Sequence, residues 1–282
     1  MPAAGRLGLI AGRGSLPLAL ANHCQTSGRP LFVIRLRGFA GPELDGFDGE
    51  DVGLAELGRG IAALRRAGCE AVCFAGYVER PDLAHLKPDL RGLAALPGVL
   101  AAARRGDGNL LGHLLGEFEK EGFRVEGAHE VMGGLLLGEG PAGRHAARPD
   151  HLPDVVRALA IARAIGALDV GQAAVCCEGL VLAVEAQEGT DAMLGRVAGL
   201  PTALRGGAGR RRGVLAKACK PGHETRIDLP TIGPTTVRHA AAAGLAGIAG
   251  EAGRLLIVDR TQTIALADTH GLFLIGAPSD SP

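Results

Sequence analysis

Four short segments carry residue types whose spacing suits chemistry on a phosphate-bearing ligand. The first is Ala11-Gly12-Arg13-Gly14-Ser15-Leu16-Pro17. Gly12 and Gly14 would let backbone N–H groups approach a phosphate at a helix N-terminus, where the dipole favours anions. No Gly-Lys-Ser/Thr follows, so this is not a nucleotide P-loop. Pro17 also occupies the place of a third glycine in a dinucleotide fingerprint. The same residues read equally as a plain strand-to-helix turn with Ser15 as N-cap. The second segment is Gly76-Tyr77-Val78-Glu79-Arg80-Pro81, where Arg80 could meet a phosphate in a two-pronged fork.

The third segment runs from Glu185 through Glu188, Gly189, Thr190 and Asp191 to Met193. Its carboxylates and hydroxyl could hold a hard cation through oxygen ligands and waters. Alternatively, Thr190 caps a helix and Asp191 complements its dipole. The fourth segment places Lys217, Lys220 and Arg226 beside Asp228, which sits in an otherwise apolar Ile-Asp-Leu-Pro. The chain has only four lysines (Lys87, Lys120, Lys217, Lys220), so two within four positions is a local enrichment. A carboxylate among cations suits metal-assisted phosphate chemistry. It could equally be a structural aspartate paired to Arg226, since buried charges need partners.

Other chemistries are poorly supported. Outside the last four residues the only serines are Ser15 and Ser27, and no Gly-x-Ser-x-Gly occurs. His129-Glu130-Val131-Met132 lacks the second histidine of a zinc helix, and the nine histidines show no ligand spacing. The 30 basic and 30 acidic side chains cancel, and aromatics are only 3%. Both facts argue against a broad nucleic-acid footprint. Arg205 to Arg212 reads as a solvated loop, with an anionic membrane surface as the alternative partner.

These segments need elements to position them. Leu7–Ala11, Leu31–Leu36 and Ala71–Ala75 read as strands, separated by helical stretches at Ser15–Thr26 and Leu54–Ala67. That alternation predicts βαβ units and a parallel sheet, so the first two segments would share its carboxyl edge, where ligands bind. Helices are predicted at Leu93–Arg104 and Leu110–Glu121. Gly138–Pro149 lacks apolar periodicity and reads as a linker or long loop. Beyond it, helices at Asp154–Ile165, Asp191–Val197, Thr236–Ala243 and Thr261–Ala267 alternate with strands at Ala173–Cys177, Leu180–Ala186, Val214–Ala218, Leu255–Val258 and Leu272–Ile275. The expected architecture is α/β in two domains: residues 1–132, Rossmann-like with a parallel sheet, and residues 151–278, with a linker at 133–150 and a tail at 279–282. Six cysteines scattered through apolar segments predict buried free thiols in a reducing compartment. No signal peptide opens the chain, and no stretch approaches the ~20 apolar residues a bilayer crossing needs. The expected location is the cytoplasm, soluble or at most peripheral to a membrane.

Taken together, the segments resemble the LpxI family, the UDP-2,3-diacylglucosamine pyrophosphatases of lipid A biosynthesis. The resemblance spans essentially the whole chain. Its anchors are the AGxGxLP loop at Ala11–Pro17, GDG-x-LL at Gly106–Leu111, EGAHEVM at Glu126–Met132, LDVGQ at Leu168–Gln172, EGLVLAVEAQEGTDAM at Glu178–Met193 and ETRIDLPTIG at Glu224–Gly233. It implies Mg2+-dependent hydrolysis of UDP-2,3-diacylglucosamine to UMP and 2,3-diacylglucosamine 1-phosphate (lipid X) by two domains closing around an interdomain cleft. It also implies transient contact with the membrane or neighbouring lipid A enzymes, and no nucleic-acid partner. The family's essential aspartate maps onto Asp228, as metal ligand or water-orienting base, with Asp191 and Glu188 as further metal candidates. Gly12, Gly14, Gly76, Arg80, Gln172, Thr190 and Lys217 are the expected substrate contacts: Lys217 and Arg80 offset phosphate charge, and Thr190 and Gln172 donate hydrogen bonds. Tyr77 departs from the family's usual Asn, and Arg13 from a residue that is often small. Two other readings stay open: a nicotinamide-dependent oxidoreductase, with Arg35 and Arg37 meeting an NADP phosphate, and a non-catalytic sugar-nucleotide or lipid-binding protein.

Overall fold

The computed structural model describes residues 5–78, 86–103, 107–221 and 224–278. The chain divides into two compact units, Met1–Gly133 and Gly134–Pro282.

In the first unit, strands β1 (Leu7–Ala11), β2 (Leu31–Leu36), β3 (Gly49–Val52), β4 (Ala71–Ala75) and β5 (Arg124–Val125) form one parallel sheet of order β3-β2-β1-β4-β5. β1 is buried at every position, as an unbroken apolar run demands when both sheet faces are covered. Helices α1 (Ser15–Ser27) and α2 (Leu57–Arg66) turn Leu20, Ala21 and Cys24, and Ile61 and Leu64, inward. Helices α3 (Leu90–Ala103), α4 (Asp107–Lys120) and α5 (Ala128–Val131) complete the unit. From β1 the chain steps outward to β2 and β3, then returns to β4 on the other flank. The strand order therefore reverses between β1 and β4, so their carboxyl ends open on a topological switch point. This is the Rossmann-like arrangement expected from the alternation. β3 was not anticipated: Gly-Glu-Asp-Val has no apolar run, because it is a short edge strand whose Asp51 reaches Arg35 of β2 at 2.6 Å.

The second unit holds a six-stranded mixed sheet of order β6-β15-β13-β11-β7-β8. Its strands are β6 (Gly140–Pro141), β7 (Ala173–Cys177), β8 (Leu180–Val184), β11 (Val214–Lys217), β13 (Gly247–Glu251) and β15 (Phe273–Ala277). β11, β13 and β15 run parallel, while β7 and β6 flank them antiparallel. Alternation along the strands divides the core. Val175, Leu215, Ile248 and Leu274 face helices α7 (Gly189–Ala198), α9 (Pro234–Ala242) and α10 (Arg260–His270). Ala174, Cys176, Ala216 and Phe273 face α6 (Leu152–Ala167). A short parallel pair, β12 (Thr231–Ile232) and β14 (Leu256–Ile257), lies beside this core.

Two expectations are corrected here, and one unanticipated strand joins the sheet. The Gly138–Pro149 stretch is folded into the second unit, where β6 pairs Gly140 with Gly276 of β15. β13, central in the sheet, was missed because Gly-Ile-Ala-Gly-Glu looks like a turn. Gly247 is there because a Cβ would lie 2.4 Å from the Phe273 ring. The arginine-rich segment 205–212 is a structured element, comprising helix α8 (Thr202–Arg205) and the hairpin β9 (Gly206–Gly207) with β10 (Arg210–Arg211). Arg205 donates to the Leu200 carbonyl at 2.8 Å and Arg211 to that of Ala241 at 2.9 Å. The six cysteines are free and buried, as expected.

Candidate active site

The carboxyl edge of the second sheet gathers a cation, a hydroxyl and a carboxylate. Lys217 ends β11 and is only 6% exposed. Its Nζ donates to Thr190 Oγ1 at 2.9 Å and to the Thr231 carbonyl at 3.2 Å. Thr190 in turn donates its proton to Oε1 of the buried Glu185 at 2.6 Å. The other oxygen, Oε2, accepts the Gln172 amide at 2.9 Å. Burial pushes the Lys217 pKa down from 10.5, against the opposing pull of the Glu185 and Asp191 charges. Thr190 is thus not a helix cap. Glu188 occupies the N-cap position of α7 without a side-chain capping bond, and the Thr190 proton already has an acceptor, so its hydroxyl serves Lys217 and is not free to donate to a ligand. The Gln172 side-chain oxygen is buried without a hydrogen-bond partner among the described residues, which leaves an acceptor for a ligand's donor.

Asp228 lies half-buried on the loop after β11, its amide donating to the Glu224 carbonyl at 3.0 Å. Arg226 forks Glu224 at 2.9 and 2.7 Å, and Lys220 binds Asp169 at 2.6 Å. The Asp228 charge reaches Cys219, whose thiol pKa is pushed up chiefly by burial. The Cys219 amide donates to Glu251 Oε2 at 3.0 Å, and Glu251 Oε1 accepts from Arg163 of α6 at 2.8 Å. Glu251, 4% exposed at the end of β13, therefore ties the start of the Asp228 loop to the helix beneath. Sequence reasoning missed it with its strand. The same applies to Arg254 in the following turn, an exposed guanidinium close enough to act on Cys219 and without a side-chain partner among the described residues.

The three residues expected to bind metal do not form one cluster. Glu188 is ion-paired with Arg196, and Asp191 faces His239 Nδ1 at 3.0 Å. Among the described residues no three His, Cys, Asp or Glu side chains are placed to hold a metal ion. An all-protein cage is thus not what this edge offers. Mg2+ keeps several waters and is commonly bound by one or two carboxylates plus substrate phosphates, a donor set with which a single carboxylate such as Asp228 is compatible.

At the first unit's carboxyl edge, the loops after β1 and β4 are zipped together. Gly12 N–H donates to the Ala75 carbonyl at 2.9 Å, and Arg13 and Tyr77 exchange two backbone bonds at 2.9 and 3.0 Å. Glycine is required for this approach: a Cβ on Gly12 would stand 2.7 Å from the Tyr77 carbonyl, and one on Gly76 2.4 Å from that of Arg13. The Gly12 and Arg13 amides are therefore engaged, so any anion contact here falls to Gly14 and the first turn of α1. Ser15 is the first helical residue rather than the cap; the cap is Gly14, at φ 100°. Tyr77 is 59% exposed over this turn. Arg80 lies outside the described residues. Arg35 and Arg37, raised as an NADP phosphate site, instead bind Asp51 and Glu56, at 2.6 and 3.2 Å.

A Rossmann-like unit open at its switch point, joined in one chain to a unit with a desolvated lysine and carboxylates at its sheet edge, defines a two-domain α/β enzyme. The comparisons give its family. The LpxI N-terminal domain model matches residues 6–135 and the LpxI C-terminal domain model residues 138–275. The chain is 60% identical over 278 residues, 98% of its own length and 99% of the relative's, to the UDP-2,3-diacylglucosamine pyrophosphatase LpxI of Caulobacter vibrioides. It belongs to the LpxI family.

Proposed function

We propose that this protein hydrolyses the diphosphate of UDP-2,3-diacylglucosamine, releasing UMP and 2,3-diacylglucosamine 1-phosphate (lipid X), with Mg2+. The observation that carries this reading is the 60% identity to the Caulobacter enzyme along both chains' whole length. In the reaction, water adds to one phosphorus, the bridging P–O bond breaks, and two phosphate monoesters leave with release of a proton. Mg2+ would be held by Asp228 together with substrate oxygens, and when bound it supplies positive charge against the phosphoryl group.

The chain's own residues do the positioning. A protonated Lys217 has three donors, of which Thr190 and the Thr231 carbonyl take two. The third is left for a phosphoryl oxygen, in a desolvated setting where charge stabilisation is strong. Because Thr190 is itself bound to Glu185, it can only accept from Lys217, which keeps the ammonium aimed. Arg254 adds an exposed cation at the same edge. The acyl chains would contribute about 0.8 kcal/mol per buried methylene. Among the described residues no helix is long and apolar enough to cross a membrane. The proposed reaction has the protein act in the cytoplasm, with peripheral contact at the membrane where its acylated substrate resides.

The test is incubation with UDP-2,3-diacylglucosamine, with Mg2+ and then with a chelator, following UMP. UMP release that stops with chelator supports the proposal. Tight binding of intact substrate without turnover would make the protein a non-catalytic binder instead.

A further inference from the structure

The amino edge of the second sheet, the end away from Lys217, holds a cavity of about 680 Å3. It opens between the residues that begin the parallel strands: Gly213 before β11, Ala246 before β13 and Phe273 in β15. Four residue steps along β11, from Gly213 to Lys217, separate it from Lys217 by roughly 13 Å. One wall is the His151 ring stacked on Phe273, with centroids 5.2 Å apart.

The cavity is lined by four guanidiniums and three carboxylates, a surplus of one positive charge. Each carboxylate lining it is already satisfied. Asp150 accepts from Arg148 at 3.1 and 3.0 Å, and Glu178 from Arg212 at 2.8 Å. Asp154 accepts the amides of Glu178 and Gly179 at 2.7 and 2.8 Å. Among the described residues, two of the four lining guanidiniums have no carboxylate partner. Arg211 is half-buried and donates to the Ala241 and Leu245 carbonyls at 2.9 and 3.4 Å, which holds the hairpin in place and leaves its charge uncompensated. Arg210, its neighbour on the same hairpin, is exposed and its side chain makes no hydrogen bond or ion pair among the described residues. The buried Nε of Arg212 also lacks a hydrogen-bond partner. A guanidinium is a planar fork matched to phosphate oxygens, and a space of several hundred Å3 is that of a small-molecule site.

We infer that this cavity binds a small phosphate ester. Arg210 supplies the fork, Arg211 and Arg212 the fixed background charge, and the His151–Phe273 stack a flat wall beside the ester. The site is separate from the proposed catalytic edge, on the opposite margin of the same sheet. The ester is either a soluble metabolite or a phospholipid headgroup; the recognition chemistry is the same.

The experiment titrates the full-length protein with inorganic pyrophosphate and follows backbone amide NMR signals. Gly209, Gly213 and Gly271 report the cavity, and Gln172 and Ala218 report the opposite edge. Saturable shifts of the cavity amides are expected, with affinity at least tenfold weaker in Arg210→Ala and partly restored in Arg210→Lys. Shifts at Gln172 and Ala218 should be the same in all three proteins. A parallel arm replaces pyrophosphate with phosphatidylglycerol vesicles against phosphatidylcholine vesicles; Arg210-dependent binding in either arm supports the site and names the source. Cavity amides that stay still in both arms, or affinities within twofold in Arg210→Ala, would overturn it. A melting temperature for each variant close to wild type ensures that the comparison reports the site and not the fold.

Discussion

The Lys217 ammonium donates to the Thr190 hydroxyl at 2.9 Å, and that hydroxyl can only accept, because its own proton is bound to Glu185 at 2.6 Å. The direction of the chain of bonds is therefore set by Glu185, a residue that need not touch substrate. In this way a buried carboxylate two bonds away aims the lysine nitrogen, and its charge opposes the loss of the proton that burial favours.

Replacing Lys217 with Met keeps the apolar stem and removes the charge. Loss of one preorganised charge of this kind costs roughly 100- to 1000-fold in turnover. The measurement is kcat for UMP release, with a melting curve alongside. Activity within threefold of wild type would remove Lys217 from the mechanism.

The pH dependence has opposite signs for activity and stability. Lys217 has a folded pKa below its ordinary 10.5. Between those two values the unfolded chain binds more protons, so this group makes stability rise with pH across that window. Activity needs the ammonium and falls as pH climbs through the folded pKa, so the basic limb of the kcat/KM profile should lie below 10.5. Glu185→Gln removes a charge that raises the Lys217 pKa and should move that limb lower still. A limb that does not respond to Glu185→Gln would show that Glu185 is merely structural.

Asp228→Asn should abolish turnover, by about 1000-fold or more if the carboxylate anchors the metal, while leaving substrate affinity and melting temperature near wild type. Half-burial on a loop, away from the core, is why the fold should tolerate it. A variant that fails to fold would assign the residue to structure.

Gly247→Ala should destabilise the second unit without touching the site, since the new methyl would meet the Phe273 ring at 2.4 Å. Overpacking of this kind costs about 1–3 kcal/mol, several degrees in melting temperature for a domain this size. An unchanged melting point would mean that the ring can turn aside.

The cysteines give a final check. Burial raises Cys73 to about 12 and Cys69 and Cys176 to about 11. Native protein should therefore react slowly with a thiol reagent at pH 8, and all six should appear on denaturation. Fast labelling of the folded protein would contradict their burial.

The sequence by itself determined the α/β alternation, the boundaries of β1, β2, β4 and β7, and the segments that hold Lys217, Thr190 and Asp228, because apolar period and loop composition are local properties. It could not show β13 or Glu251. There the deciding contact is Gly247 against Phe273, 26 positions away, and glycine in isolation reads as a turn. Nor could it tell which carboxylate serves which cation. Glu185, Glu188 and Asp191 look alike within seven positions of sequence, yet folding sends the first to Thr190, the second to Arg196 and the third to His239. Hydrogen-bond partners and desolvation depend on what the chain brings close in space, so only the tertiary structure could separate a positioning carboxylate from two surface ones.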